Sequence, residues 1–243
     1  FLIQFIREIL IGGVETIVAF TSWDFISANP WAKLPGLPWT IVAGFAILLA
    51  HKLSGKNLAL FAAVTMIYIS AFGQWKPSMQ TLSFVLVAAP ISFILGLGFG
   101  IWAYKSKKVE NILNPLLNVA QTMPHYSYLI PIMVLFGIGD HAGAIATIIF
   151  ATPPMVRLTV LGLRKVSPEV IEAGKMSGCN DYQLLSEVLI PTARRDILIG
   201  VNQVIMQCLA MAVIASFIGA KGLGWNLLLA LNQLRIGLAL EAG

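Results

Sequence analysis

Long apolar runs separated by short polar turns organise the chain. The clearest are Leu58–Gly73, Met79–Tyr104, Leu116–Gly139, Ala142–Leu163 and Ile197–Ala220, with a shorter one at Trp39–Leu53. A helix that crosses the hydrocarbon core of a bilayer needs about 20 apolar residues, fewer when its flanking side chains snorkel. Each run is therefore expected as a spanning or near-spanning helix. Asn226–Gly243 starts another helix, in which the sequence stops, so the chain reads as a segment of a longer product. Phe1–Phe20 is apolar but carries Arg7, Glu8 and Glu15, and is expected either to span or to lie in the interface. The connector Asn29-Pro30-Trp31 and Pro35-Gly36-Leu37-Pro38-Trp39 cannot be helical throughout, because each proline removes a backbone donor. The expected organisation is a lead helix, connector and first short span over 1–57, and a core over 58–243 with a large polar loop at 164–196.

Composition sharpens this picture. Of 243 residues 58% are hydrophobic and 11% charged, against about 25% charged in an average soluble domain. Mean hydropathy is +0.83. The chain has too little polar surface for a water-soluble fold of its size, which excludes most soluble enzyme architectures. The net charge of +5 sits in short loops between apolar runs and does not point to nucleic acid. Cys179 and Cys208 fall in a charged loop and an apolar run, so no bridge is expected. No cleavable signal pattern opens the sequence.

Lysine and arginine set the orientation. Lys52 and Lys56, then Lys105, Lys107 and Lys108, then Arg164, Lys165, Lys175, Arg194 and Arg195 occupy alternate loops, ten in all, against Lys33, Lys76 and Lys221 in the others. This places 164–196 in the cytoplasm. Trp23, Trp31, Trp39, Trp75 and Trp225 fall at the opposite interface, and Trp102 near the cytoplasmic one.

Secondary transporters and proton pumps carry charged residues mid-span, and these spans hold almost none. Asp140 sits at a turn after Gly137-Ile138-Gly139. Arg157 follows Thr152-Pro153-Pro154, where a kink is expected to free carbonyls. Its expected role is to snorkel to the cytoplasmic interface or to bind those carbonyls. His51, His125 and His141 are too dispersed for a metal site, and no catalytic triad or phosphate loop is present. Gly96, Gly98 and Gly100 lie inside a span and read as a close-packing face. Pro124 and Pro131 are expected to break the regular ladder of one span and expose backbone groups. Asn202, Gln203, Met206 and Gln207 form a polar stripe that suits either interhelical hydrogen bonding or a path lining.

The loop 164–196 carries the sharpest pattern. Ser167 can cap a helix with Pro168 at its first position and Glu169 at its positive end. Gly178 ends that helix, Asn180 or Asp181 caps a second over Tyr182–Val188, and Pro191 stops it. Basic and acidic residues are balanced, as suits a rigid knuckle that docks in a protein groove.

The residues Glu172-Ala173-Gly174, then Gly178, then Val188-Leu189-Ile190-Pro191 resemble the signature loop of permease subunits of bacterial ABC importers. That signature is Glu-Ala-Ala, three residues, Gly, nine residues, Ile-x-Leu-Pro. Gly174, Val188 and Ile190 depart from it by small or aliphatic exchanges. Further segments resemble the glycine betaine/proline betaine permeases over roughly residues 79–243. They are Gln121-Thr122-Met123-Pro124, Tyr128-Leu129-Ile130-Pro131, Leu135-Phe136-Gly137-Ile138-Gly139, Pro153-Pro154-Met155-Val156-Arg157-Leu158-Thr159, Gly200-Val201-Asn202-Gln203, Ile214-Ala215-Ser216 and Gly222-Leu223-Gly224.

The resemblance implies an all-α, polytopic bundle, the transmembrane domain of a type I ABC importer in a bacterial inner membrane. It implies a non-catalytic subunit that pairs with a second permease copy. ATP-binding cassette subunits, which would hold ATP and Mg, would dock at Glu172, Ala173, Gly174, Gly178, Asp181 and Pro191. A periplasmic or tethered binding protein would deliver glycine betaine, proline betaine, choline, carnitine or trimethylamine N-oxide. Met123, Pro124, Asn202, Gln203 and Met206 are the expected path residues. The alternatives are an ion-coupled transporter and an importer of another small solute, such as an amino acid.

Overall fold

The computed structural model describes residues 39–243; the lead segment Phe1–Phe20 and the connector as far as Pro38 lie outside the described residues. The described residues are mostly helical, with no strand among them. In chain order the helices are α1 (Trp39–Ser54), α2 (Lys56–Ala71), α3 (Trp75–Lys105), α4 (Lys107–Thr122), α5 (His125–Phe136), α6 (Asp140–Arg164), α7 (Pro168–Met176), α8 (Asp181–Gln183), α9 (Ile190–Thr192), α10 (Arg194–Ala215), α11 (Leu223–Asn232) and α12 (Ile236–Ala242). A π-helical segment, Leu184–Leu189, joins α8 to α9, and a 3₁₀ turn, Ser216–Ile218, extends α10. Among the described residues, three helical stretches are long and apolar enough to cross a membrane: Trp75–Lys105, Asp140–Arg164 and Asp181–Ile218.

Two apolar runs do not form single helices. Leu116–Gly139 is divided at Met123, whose φ of −68° and ψ of 138° are extended backbone. Pro124 imposes this, because its ring crowds the preceding residue out of the helical region. The first piece begins well before the apolar run, at Lys107, since Asn111, Asn114 and Asn118 alternate with leucines at helical spacing. Asn226–Gly243 is likewise divided, between Asn232 and Ile236, at a turn where Leu234 takes φ 54°.

Prolines inside helices bear on three expectations. Pro131 sits within α5, so the donor it lacks opens the ladder without ending the helix. Pro153 and Pro154 lie within α6, where the Thr152 hydroxyl donates to the Ile148 carbonyl at 2.6 Å. Pro191 does not stop the second loop helix, which runs on to Thr192. The wider π turn accommodates it: the Ile190 N–H reaches back to the Leu185 carbonyl, an i→i−5 bond that opens the ladder ahead of a residue with no donor.

The chain divides into two compact units. One gathers α1, α2, α3 as far as Val87, Leu129–Ala144 and Ala212–Gly243. Its turns are tied by backbone groups: Gly139 N–H donates to the Ile218 carbonyl at 2.9 Å, and Lys221 N–H to the Asp140 carboxylate at 2.6 Å. The Leu223 N–H donates to Thr81 Oγ1 at 3.0 Å. Trp39 and Trp75 meet edge to face at 6.2 Å.

The second unit holds Ala88–Tyr128 and Ile145–Met211. Its core is the α3–α6 contact. A Cβ on Gly96 would lie 2.5 Å from Met155 Cβ, and one on Gly100 2.5 Å from Thr159 Cβ. These two glycines, one turn apart, let the helices approach closely. Gly98 has nothing within 4 Å, so the packing face is a pair and not a triplet. Met155, Leu163, Val204 and Cys208 complete the interior.

Candidate functional site

The loop 164–196 folds as a helix, a glycine turn and a second helix. Pro168 occupies the first turn of α7 after Ser167, whose φ −65° and ψ 145° are those of a cap. The Ser167 hydroxyl does not cap the backbone. The Glu169 carboxylate instead accepts from its own N–H and from Ser167, which holds it below the ordinary carboxylate range. At the other end, Gly178 N–H donates to the Lys175 carbonyl at 3.0 Å and Cys179 N–H to the Gly174 carbonyl at 3.2 Å. This is a Schellman closure, and Gly178 takes the left-handed conformation that it requires, φ 82°. Of the two candidate caps, Asn180 is the one used. Its side chain accepts from Gln183 N–H at 2.8 Å, and Gln183 Oε1 accepts from Asn180 N–H at 3.0 Å, a reciprocal capping box.

The two arms pack tightly at Gly174. It is buried, and an added Cβ would meet Leu184 Cδ1 at 2.8 Å. The departure from alanine at this position thus has a local cause. Leu184, Leu185 and Leu189 are buried beneath the knuckle. Glu172, Ala173, Gly178, Asp181 and Pro191 are exposed on it. Met176, 88% exposed, and Tyr182, 74% exposed, project there too. The knuckle is anchored where Lys165 Nζ meets Asp196 Oδ1 at 2.7 Å.

Above the knuckle, α4 and α6 run antiparallel and are joined at two points. Arg164 Nη2 donates to Glu110 Oε2 at 2.6 Å, and Lys107 Nζ lies 3.1 Å from the same oxygen. Arg164 foremost, then Lys107, holds the Glu110 carboxyl below its ordinary value. The clasp is therefore intact at neutral pH and is lost only as pH falls through that lowered value. Two turns further on, Arg157 Nη2 donates to Asn118 Oδ1 at 2.5 Å. Of the two roles expected for Arg157, snorkelling to the interface or binding carbonyls freed by the prolines, the contact formed is not the second: its partner is a carboxamide on α4. Glu110 and Asn118 are not among the residues singled out from sequence, although Asn111, Asn114 and Asn118 at three- and four-residue spacing signal a polar helix face.

Met123 and Pro124 are exposed at the α4–α5 break. A backbone group freed there is satisfied, since the Tyr128 hydroxyl donates to the Ala120 carbonyl. Asn202, Gln203 and Met206 are exposed on α10. His125 stacks on Phe150 at 4.3 Å, and His141 Nε2 lies 2.8 Å from the Phe136 carbonyl. Both cysteines are free thiols.

Comparison with known proteins converges on one family. The model described as "Binding-protein-dependent transport system inner membrane component" matches residues 92–242. The trimethylamine N-oxide transport system permease protein TmoV of Pelagibacter ubique (strain HTCC1062) is 72% identical over 243 residues, 100% of this chain and 34% of that protein. The glycine betaine/proline betaine permease ProW of Escherichia coli (strain K12) is 41% identical over 220 residues, 90% of this chain and 62% of that protein. The glycine betaine permease OpuAB of Bacillus subtilis (strain 168) is 41% identical over 210 residues, 86% of this chain and 73% of that protein. The chain thus spans about a third of the length of the TmoV relatives. Among solved structures, an inward-facing MetNI methionine ABC transporter superposes with a TM-score of 0.56 at 21% identity, covering 66% of this chain and 87% of that chain. That likeness establishes the fold of a type I ABC importer transmembrane domain. On its sequence over 92–242 and on its helical architecture, the chain belongs to the family of binding-protein-dependent transport system inner membrane components.

Proposed function

We propose that this chain is the non-catalytic permease part of an ATP-driven importer of small methylated amines. The observation that carries the reading is 72% identity along the whole chain to a trimethylamine N-oxide permease, with betaine permeases at 41% identity beside it. The knuckle at Glu172–Pro191 docks an ATP-binding cassette subunit, which hydrolyses ATP with Mg. A second permease copy completes the path, and a periplasmic or tethered binding protein delivers the cargo. The knuckle faces the cytoplasm, and Met123, Pro124, Asn202, Gln203 and Met206 line part of the path. A dipolar cargo such as an N-oxide or a betaine suits spans that carry few charges, because its own two charges offset one another.

The test is purification of the full protein with its partners, followed by uptake of labelled trimethylamine N-oxide, glycine betaine, choline and an amino acid into vesicles. Co-purification of an ATP-hydrolysing subunit and uptake of the N-oxide or betaine are expected. Uptake that persists without ATP and collapses with an uncoupler would overturn the importer reading. Uptake of the amino acid with refusal of every methylated amine would overturn the cargo.

A further inference from the structure

α4 presents three faces. Glu110, Leu113 and Leu117 share one helical edge; Glu110 and Leu117 are buried and Leu113 is half-buried. Ile112, Leu116 and Val119 share a second, and are 66%, 60% and 56% exposed, as side chains turned to lipid would be. Asn111, Asn114, Asn118 and Gln121 share the third, and the three asparagines are exposed. Apart from Asn118, which Arg157 engages, these carboxamides are costly in hydrocarbon unless water, a polar solute or polar groups of a packed neighbour meet them.

Arg157 lies beside that stripe, about 10 Å along α6 from Arg164 at 1.5 Å per residue. The two arginines differ in how they are neutralised. Arg164 has the Glu110 carboxylate. Arg157 has only the Asn118 carboxamide, and no carboxylate among the described residues pairs with it. Between them α4 and α6 leave a groove of about 180 Å³, lined by Leu113, Asn114, Leu117, Arg157, Leu161 and Arg164 among others. One end thus offers a guanidinium whose charge is unspent, next to amide donors. The walls offer leucine methyls.

We propose that this groove binds the negative pole of the cargo, a carboxylate or N-oxide oxygen, at Arg157 and Asn114, with the methylated nitrogen against Leu113 and Leu161. The inference rests on the importer reading for the identity of the cargo; the anion site itself does not. A guanidinium binds an oxyanion by charge-assisted hydrogen bonds, while trimethylated nitrogen is bulky and suits an apolar wall. The groove discriminates against a cation with no negative pole, because Glu110 is already taken by Arg164 and Lys107.

The test uses the full complex in inside-out vesicles, with Cys179 and Cys208 replaced by serine and alanine. Single cysteines are placed at Asn111, Asn114 and Asn118, and at Ile112, Leu116 and Val119. They are exposed to an anionic sulfonatoethyl or a cationic trimethylammonioethyl methanethiosulfonate. The asparagine positions should react and the apolar positions should not. At Asn114→Cys the ratio of anionic to cationic rates, each taken relative to the same reagent's rate with a free thiol in solution, should rise about tenfold, a Coulombic effect of one nearby charge. That preference should vanish in Arg157→Gln and persist in Arg157→Lys and in Asn118→Ala. Equal labelling of both faces, no anion preference, or its loss in Asn118→Ala as in Arg157→Gln would overturn the proposal. On the transport side, Arg157→Gln should cut uptake of N-oxide and betaine at least about tenfold without releasing the ATPase subunit. Unchanged uptake would also overturn it. If the unaltered complex carries neither cargo, the importer reading fails, while the labelling rates still decide whether the groove holds an anion.

Discussion

At the scale of single residues, glycines and polar caps decide the geometry, and their reasons differ. Gly178 is needed for its backbone, since it adopts φ 82° and has open space around it. A β-branched residue there costs about 1–2 kcal/mol of backbone strain alone. Gly178→Val should insert normally yet lose ATPase-subunit binding or cargo-stimulated ATP hydrolysis. Quantifying the co-purified subunit against permease level checks this, and wild-type binding and hydrolysis would refute it. Gly174 is needed for space instead. These two roles were legible to different degrees. A glycine after a capped helix announces a left-handed turn from sequence alone. The crowding at Gly174 depends on Leu184, ten residues on, and only the folded pair of arms reveals it. Asn118 shows the same limit. Its spacing with Asn111 and Asn114 was visible, but its partner Arg157 is 39 residues away.

At the scale of elements, the apolar runs located the long helices to within a few residues, because burial and membrane crossing both demand continuous hydrophobicity. The prolines misled. Pro124 breaks the chain, whereas Pro90, Pro115, Pro131, Pro153 and Pro154 sit inside helices. The ring and the missing donor are the same in each case, so the local rule alone does not separate a break from a passage. The α3–α6 contact gives the sharpest element-level prediction. Gly100→Val would force side-chain atoms into Thr159, an overpacking cost of about 1–3 kcal/mol. Gly98→Ala adds a methyl in open space and should be neutral or stabilise by up to about 1 kcal/mol. Thermal unfolding in detergent should separate the two. Equal midpoints would mean that the glycine pair does not set the approach.

At the scale of the whole molecule, charge in the loops makes a claim that packing does not. Lys52, Lys107 and Lys175 should lie on the cytoplasmic side, and Lys76 and Lys221 opposite. Single cysteines at these positions, probed with an impermeant reagent on intact cells, check it; labelling at residue 175 from outside would reverse the arrangement. The sequence also conveyed the family and the knuckle, because both rest on short, closely spaced residues. It did not convey the π turn, which arises from a competition between Pro191 and the ladder before it. That turn works as the screw setting of the membrane span above. A π turn holds one residue more than the α ladder would, and one residue is about 100° of rotation. The azimuth at which α10 presents Asn202 and Gln203 is therefore fixed below, between Leu184 and Leu189. Tightening those six residues to α pitch would rotate the whole span about its axis with no change in its sequence.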